Sequence, residues 1–181
     1  MLRSYTHSEM LNLWRARAGL DTRLADCTIE AVEGFDADSA IAPRMRAWYL
    51  RLLDSAPAAL LPVEDVSAEI MLVISASGSA TASLPVRARR LLELRLASWR
   101  NPAVPVVHGE ATRRRILAQN PYSAPGAVAP VCAVAGRALR LMPAAHADKV
   151  ARAMAVVDPG PDTYILDESL LNEIPDIFDI S

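Results

Sequence analysis

Two histidine–carboxylate pairs come closest to having the residue types and spacing of acid–base chemistry. His146 and Asp148 lie two residues apart in "HADK", and His108 and Glu110 have the same spacing in "HGE". An imidazole beside a carboxylate acts as a general base when a nucleophile or substrate lies within hydrogen-bonding distance. Neither pair has a nucleophile near it in the sequence, so we interpret both as residues of solvated turns or loops.

The other ligand-type residues also lack the spacing of known sites. The two cysteines, Cys27 and Cys132, are far apart and outside any C-x-x-C pattern, so we expect two reduced, unpaired thiols, each a small buried hydrophobe. The sequence contains no nucleophile elbow, zinc-protease motif, Walker loop or dinucleotide fingerprint. We therefore expect a non-enzymatic protein with no catalytic residues, no cofactor, no metal and no small-molecule substrate. An acidic cluster without calcium-loop spacing comprises Asp158, Asp162, Asp167 and Glu168.

Composition and charge narrow the classes of partner. The chain has 181 residues, a net charge of −2 and nine aromatic residues, a balance that argues against specific nucleic-acid binding. Lys149 is the only lysine among 19 basic residues. A GC-rich genome accounts for this bias, and so does an interface, because the planar guanidinium suits pairing across subunits. We find no signal peptide and no apolar run long enough to cross a bilayer, so we expect a soluble chain made in the cytoplasm, with no membrane partner.

Two segments near the start have the spacing of amphipathic helices. In "SYTHSEMLNLWRARAGL", Thr6 and Glu9 have the spacing of a capping box, and Gly19 stands where a helix C-cap belongs. In "PRMRAWYLRLLDSAP", Pro43 suits a first helical turn and Pro57 ends the helix. These patterns predict two N-terminal helices.

From residue 62 onwards the pattern favours strands. "PVEDVSAEIMLVISASGSATASLP" predicts two strands that turn near Gly78, and "VCAVAGRALRLMP" predicts a hairpin that turns at Gly136. "LPVRARRLLELRLASW" and "KVARAMAVV" each predict one more strand, and the short connections favour antiparallel pairing. The predicted core of this region comprises Leu92, Leu94, Leu96, Leu139 and Leu141, with Trp99 at its edge.

The predicted fold class is α+β. N-terminal helices precede an antiparallel β-sandwich-like domain with a short inserted helix in "GEATRRRILAQN", and a C-terminal helix or tail is capped near Asp167. The predicted divisions are a helical segment at 1–58, a β-rich domain at 59–166 and an acidic C-terminal segment at 167–181, together forming one globular unit.

The order of short motifs in the second half of the chain is distinctive. A strand runs into "LP" at 84–85, and the next strand ends at Trp99. A proline-rich exit, the arginines at 113–115, "NPY" at 120–122 and a proline-rich loop follow. The hairpin "GRALRLMP" at 136–143, a further strand and "YILDESLLNEIP" complete the order. Over about residues 60–178 this succession resembles the neck, or head–tail connector, ring proteins of tailed bacteriophages and prophages, especially those of gut Bacteroidales.

The resemblance implies a virion protein that assembles with itself. Its family consists of helical and β-sandwich subunits that oligomerise between portal and tail, so the implied partners are further copies of this chain, in a ring, and neighbouring virion proteins. In such a ring, an arginine-rich face of one subunit would meet the acidic C-terminal segment of the next. The residues alone leave a second interpretation of that segment open and favour it slightly, namely a solvated chain end. The interface residues predicted on this basis are Arg113, Arg114, Arg115, Asp167, Glu168, Leu170, Leu171, Glu173 and Ile174, followed by Ile177.

Two other classes of function remain open from the residues alone. One is a cytoplasmic bacterial adaptor that binds a protein or peptide through an exposed sheet face. The other is a small-molecule enzyme whose site joins His108 or His146 to carboxylates in a deep pocket. Genes for portal, capsid and tail proteins beside this one would favour the virion protein.

Overall fold

A computed structural model describes residues 1–17, 37–107 and 126–175 and shows a mixed helical and strand fold of the α+β class. The helices are α1 (His7–Arg17) and α2 (Ala37–Ser55), and shorter 3-10 helices occupy Ala58–Leu60, Ser67–Glu69 and Glu168–Glu173. The strands are β1 (Leu2–Thr6), β2 (Val63–Asp65), β3 (Val73–Ile74), β4 (Ala80–Ser83), β5 (Ala88–Leu96), β6 (Pro105–Val107), β7 (Val131–Ala135), β8 (Ala138–Met142), β9 (Val150–Val157) and β10 (Thr163–Asp167).

The chain divides into two compact units. Unit 1 comprises Met1–Pro62 and Asp158–Ser181, and unit 2 comprises Val63–Val157. The divisions predicted at 58/59 and 166/167 follow chain order, whereas unit 1 joins both ends of the chain. The reason is that β1 and β10 form an antiparallel pair, with Tyr5 opposite Tyr164.

In unit 1 the predicted capping box is confirmed. The Thr6 amide donates to Glu9 at 2.8 Å and the Glu9 amide donates to the Thr6 hydroxyl at 3.3 Å, so two amides at the start of α1 are satisfied. Helix α2 begins six residues before Pro43, so the predicted start at this proline is wrong and Pro43 lies inside the helix. Trp14 of α1 and Trp48 of α2 meet edge to face, with ring centroids 5.7 Å apart.

Unit 2 contains a three-stranded sheet and a five-stranded sheet. Their strand orders are β2-β9-β5 and β3-β4-β8-β7-β6. The predicted hairpins are confirmed, and their turns contain Gly78 and Gly136 in the left-handed region, at φ 74° and 59°. The expectation of purely antiparallel pairing is wrong at one place, because β6 and β7 are parallel. These strands are joined through residues 108–130, a connection long enough for a crossover.

One apolar cluster in unit 2 draws on both sheets. Leu94 and Leu96 of β5 and Leu139 and Leu141 of β8 lie in it with Trp99, as predicted. Leu92 was also predicted in this core but does not lie in the cluster, because the pairing of β5 with β9 shifts register between Leu91 and Glu93. Leu91 therefore takes the inward position and Leu92 is only half-buried.

Candidate interaction surface

The outward-facing side chains of the five-stranded sheet form the candidate site, which we call the outer face. Strand side chains alternate between the two faces of a sheet, so β3, β4, β8 and β7 each contribute to it. Val73, Thr81, Arg140 and Ala133 lie opposite one another across these four strands. The outer face comprises Val73, Thr81, Ser83, Val131, Ala133, Ala135, Ala138 and Arg140, with Met71 and Val86 at its border.

The alternate positions of the same strands point into the core and hold the sheet in place. Ala80, Leu141 and Cys132 occupy one row across β4, β8 and β7, and all three are fully buried. Small side chains on the outward side, among them Ala133, Ala135 and Ala138, line a concavity of about 750 Å³ on the outer face. A volume in this range suits an organic ligand or a short peptide.

The outer face exposes large apolar side chains at its edges. Met71, Val73 and Val86 are 83%, 70% and 86% exposed, and they line the same concavity. A scattered exposed valine is ordinary in a protein surface, but several apolar side chains around one concave floor are typical of surfaces that bind another molecule. The outer face therefore has the character of an interaction surface.

The charge of the outer face is set by one arginine. Arg140 lies on the floor and, among the residues that the structure describes, makes no ion pair. Glu69 lines the concavity too, but the guanidinium of Arg87 binds its carboxylate at 2.6 Å. The hydrogen bonds from Arg87 hold the pKa of the Glu69 carboxyl below its usual range. The accessible charge on this surface is therefore positive.

A second arginine fixes the loop at the border of the outer face. The guanidinium of Arg137 donates to the carbonyl oxygen of Leu84 at 2.7 Å and to that of Val86 at 3.2 Å. Both bonds are to main-chain atoms, so they restrain the path of the loop between β4 and β5. The exposed Val86 side chain is thereby held beside the concavity.

The C-terminal residues predicted to meet a neighbouring subunit are largely engaged within their own chain. Asp167 pairs with the Met1 ammonium group, whose hydrogen bond lowers the pKa of this carboxyl to about 2. The Glu168 carboxylate lies 2.9 Å from the Arg3 guanidinium. Leu170 is 2% exposed, so it is not available to a second subunit in this arrangement.

The rest of that predicted interface is partly accessible. Leu171 and Ile174 are half-buried, and the exposed Glu173 accepts the indole N–H of Trp48 through its main-chain oxygen at 3.1 Å. Arg113, Arg114 and Arg115, with the predicted inserted helix, lie outside the described residues, as does Ile177. The predicted C-terminal helix is a 3-10 helix whose N-cap is Asp167, which accepts the Ser169 amide.

The histidine–carboxylate pair of the "HADK" segment does not form a catalytic arrangement. Asp148 accepts main-chain amides from Ser98, Ala145 and Lys149 at 3.0–3.1 Å, and also the Ser98 hydroxyl. Burial opposes ionisation, but the hydrogen bonds, led by that of the Ser98 side chain, prevail and lower its pKa. His146 is exposed in a turn. His108 and Glu110 lie outside the described residues.

Three further findings concern only the described ranges. They contain no group of three or more His, Cys, Asp or Glu side chains placed to hold a metal ion. Of the acidic cluster, Asp158 pairs with Arg46, which also donates to the Gly160 carbonyl at 3.0 Å. No helix within these ranges has both the length and the apolar character needed to span a bilayer.

Cys132 lies directly beneath the outer face, so the reactivity of its thiol shows which side of β7 is turned towards the core. It is a free, fully buried thiol, and burial raises its pKa to about 12. In a chain carrying Cys27→Ser, we expect Cys132 to resist a thiol reagent at pH 8 while folded and to react rapidly once unfolded, because the thiolate is the reactive form. Ala135→Cys, in a chain lacking both native cysteines, is the matched control and should react while folded, since Ala135 is exposed. Rapid modification of folded Cys132 would show that the two faces of β7 are misassigned.

The outer face was not predicted from the sequence, although a signal for it exists. The outward positions of β4, β7 and β8 are Thr81, Ser83, Ala133, Ala135, Ala138 and Arg140, among others, and only Arg140 is charged. A sheet face turned to solvent usually carries more charge, so small uncharged residues at alternate positions are a sequence signal for a candidate interaction surface.

No protein-family model matches this chain, and no curated protein is found to match its sequence.

Proposed function

We propose that this protein is a non-enzymatic assembly subunit, a component of the neck that joins head to tail in a tailed bacteriophage or prophage. The observation that carries the proposal is the outer face, an exposed apolar concavity whose floor holds Arg140, which makes no ion pair with any residue that the structure describes. Such a surface suits lasting contact with another polypeptide. The order of motifs over residues 60–178, from "LP" to "YILDESLLNEIP", supports the neck assignment through its resemblance to connector ring proteins.

The proposed architecture of unit 2 is a β-sandwich. Its two sheets contribute to one apolar cluster, with Leu94 and Leu96 from one sheet and Leu139 and Leu141 from the other. Packing two sheets face to face leaves each with an outward surface. The five-stranded sheet can therefore contact a neighbouring molecule through its outer face while its inward side chains stay packed in the core.

The proposal predicts a defect in particle assembly. Deleting the gene from a prophage that carries it should leave filled heads and separate tails, and the protein should be found in purified wild-type virions at a fixed copy number. A plasmid copy should restore tailed particles, whereas a copy with Val73→Asp should restore few, because a carboxylate enters the apolar concavity.

Val104→Asp is the matched control for this experiment. Val104 is 73% exposed, close to the 70% of Val73, and it does not line the outer face. We expect it to complement fully. Tailed, infectious particles from the deletion strain, without any plasmid, would contradict the proposed function.

A second candidate function is supported by the same surface. An adaptor that binds a protein or peptide of the host would also expose an apolar concavity with one positive charge. The deletion experiment distinguishes an adaptor from a neck subunit. For an adaptor, the protein would be missing from purified virions, and deletion of its gene would leave particle assembly intact.

A further inference from the structure

We infer that the outer face binds residues 176–181, "DIFDIS", of a second copy of this chain. The inference rests on the proposed assembly function and names the partner of its surface. The described part of the chain ends at Pro175, and these six residues follow it. We call them the terminal segment.

Charge is the first argument for this pairing. The terminal segment carries Asp176 and Asp179 and no basic residue. The outer face offers the guanidinium of Arg140, unpaired among the described residues, while its one carboxylate, Glu69, is occupied by Arg87. A guanidinium binds a carboxylate through two parallel hydrogen bonds, which selects an acidic peptide over a basic one.

Apolar content is the second argument. The terminal segment carries Ile177 and Phe178 between its two aspartates, and Ile180 directly after the second. In an extended chain alternate side chains share a face, so Phe178 and Ile180 would point the same way as Asp176. That face offers two apolar side chains to the concavity and one carboxylate to Arg140.

Size is the third argument. Four neighbouring strands line the outer face, and at about 4.8 Å between strands they span about 14 Å. At about 3.3 Å per residue, an extended peptide of four to five residues covers that distance. The terminal segment is long enough to cross the outer face.

The neighbouring part of the chain explains why the terminal segment, and not the residues before it, is the partner. Asp167 and Glu168 are paired with Met1 and Arg3 of their own chain, and Leu170 is buried there. Between them and the terminal segment, Leu171 and Ile174 are half-buried, and Glu173 accepts a hydrogen bond from Trp48 through its main-chain oxygen. A contact between a segment of one copy and a different surface of the next is heterologous, and such contacts form a ring when the rotation between copies closes.

A peptide titration tests the inference on the full-length chain. The receptor carries Asp176→Arg and Asp179→Arg, so that its own terminal segment does not compete. The probe is a fluorescently labelled peptide of residues 174–181, "IPDIFDIS", and its anisotropy is followed. We expect saturable binding that weakens as salt is raised to 1 M, where the Debye length is about 3 Å.

Substitutions in the receptor locate the binding surface. Val73→Asp should weaken binding at least about tenfold, because it places a carboxylate in the concavity and beside those of the peptide. Val104→Asp, at an equally exposed site elsewhere, should leave binding unchanged. Arg140→Glu should weaken binding about tenfold, the usual scale for losing a charged hydrogen-bonding partner. A peptide with lysine at 176 and 179 should recover binding to that receptor, a rescue that a merely misfolded receptor would not give.

The outcomes separate this inference from the proposed function. Absence of binding, or equal binding by the Val73→Asp and Val104→Asp receptors, overturns the pairing, even where the gene still restores tails to virions. Binding with the expected pattern of substitutions supports the pairing of copies, even where the deletion strain makes complete virions and the neck assignment is wrong.

Discussion

Leu94→Ala should lower the free energy of unfolding by about 2–5 kcal/mol, the usual cost of truncating a buried leucine. Leu94 is fully buried in the cluster shared by the two sheets of unit 2. Its main chain is held on both sides, by Ala153 of β9 in the ladder and by Ala103 through hydrogen bonds of 3.0 and 2.8 Å. The backbone therefore has little freedom to close the cavity that the substitution creates.

Leu92→Ala is the matched control for this prediction. Leu92 is in the same strand but only half-buried, so its truncation removes less apolar surface from the core and should cost clearly less. Urea denaturation followed by tryptophan fluorescence measures both, provided the slope with urea is unchanged. Equal losses for the two variants would mean that β5 has the simple alternation of Leu92, Leu94 and Leu96 and that the register shift is misplaced.

Tyr49→Phe should lower the free energy of unfolding of the chain by about 1–3 kcal/mol, because it leaves buried polar groups unsatisfied. The Tyr49 hydroxyl donates to the Ile165 carbonyl at 3.1 Å and accepts the Ile165 amide at 3.0 Å. One side chain of α2 thus satisfies both main-chain groups of a residue in β10. The phenylalanine ring fills the same space but provides neither bond.

Alkaline pH gives this prediction a second measurement. Burial raises the pKa of Tyr49 to about 12, above the value of about 10 in an unfolded chain. A pKa raised by folding contributes stability that is present below about pH 10 and is lost as pH rises towards 12. The Tyr49→Phe chain should therefore lose less stability over this window than the wild type does.

Tyr5→Phe is the control for Tyr49→Phe. Tyr5 is also buried, but its hydroxyl has only a long contact of 3.5 Å to the Glu168 carboxylate. Its loss should stay within about 0.5 kcal/mol. A loss of unfolding free energy as large as that of Tyr49→Phe would show that the two hydrogen bonds to Ile165 are not the source of the stability that Tyr49 provides.

Several local features of this protein could be predicted from short stretches of its sequence. The capping box of Thr6 and Glu9 and the glycine turns at Gly78 and Gly136 depend on residues within a few positions of each other. Alternation within single strands predicted the core positions Leu94, Leu139 and Leu141, although it was wrong at Leu92. The capping box and the turns depend on backbone conformation and on hydrogen bonds between nearby residues. A short stretch of sequence therefore contains all the information needed to predict them.

Features that depend on partners distant in the chain could not be predicted from any single segment. The pairing of β1 with β10 joins residues such as Tyr5 and Tyr164, and no pattern within "LRSYT" names that partner. The register shift beside Leu91 arises from pairing with β9 rather than from the residues of β5. The outer face exists because four strands bring Val73, Thr81, Arg140 and Ala133 side by side. Which side chains become neighbours depends on strand order and register, and these are set by packing over the whole unit rather than by the propensity of any one segment.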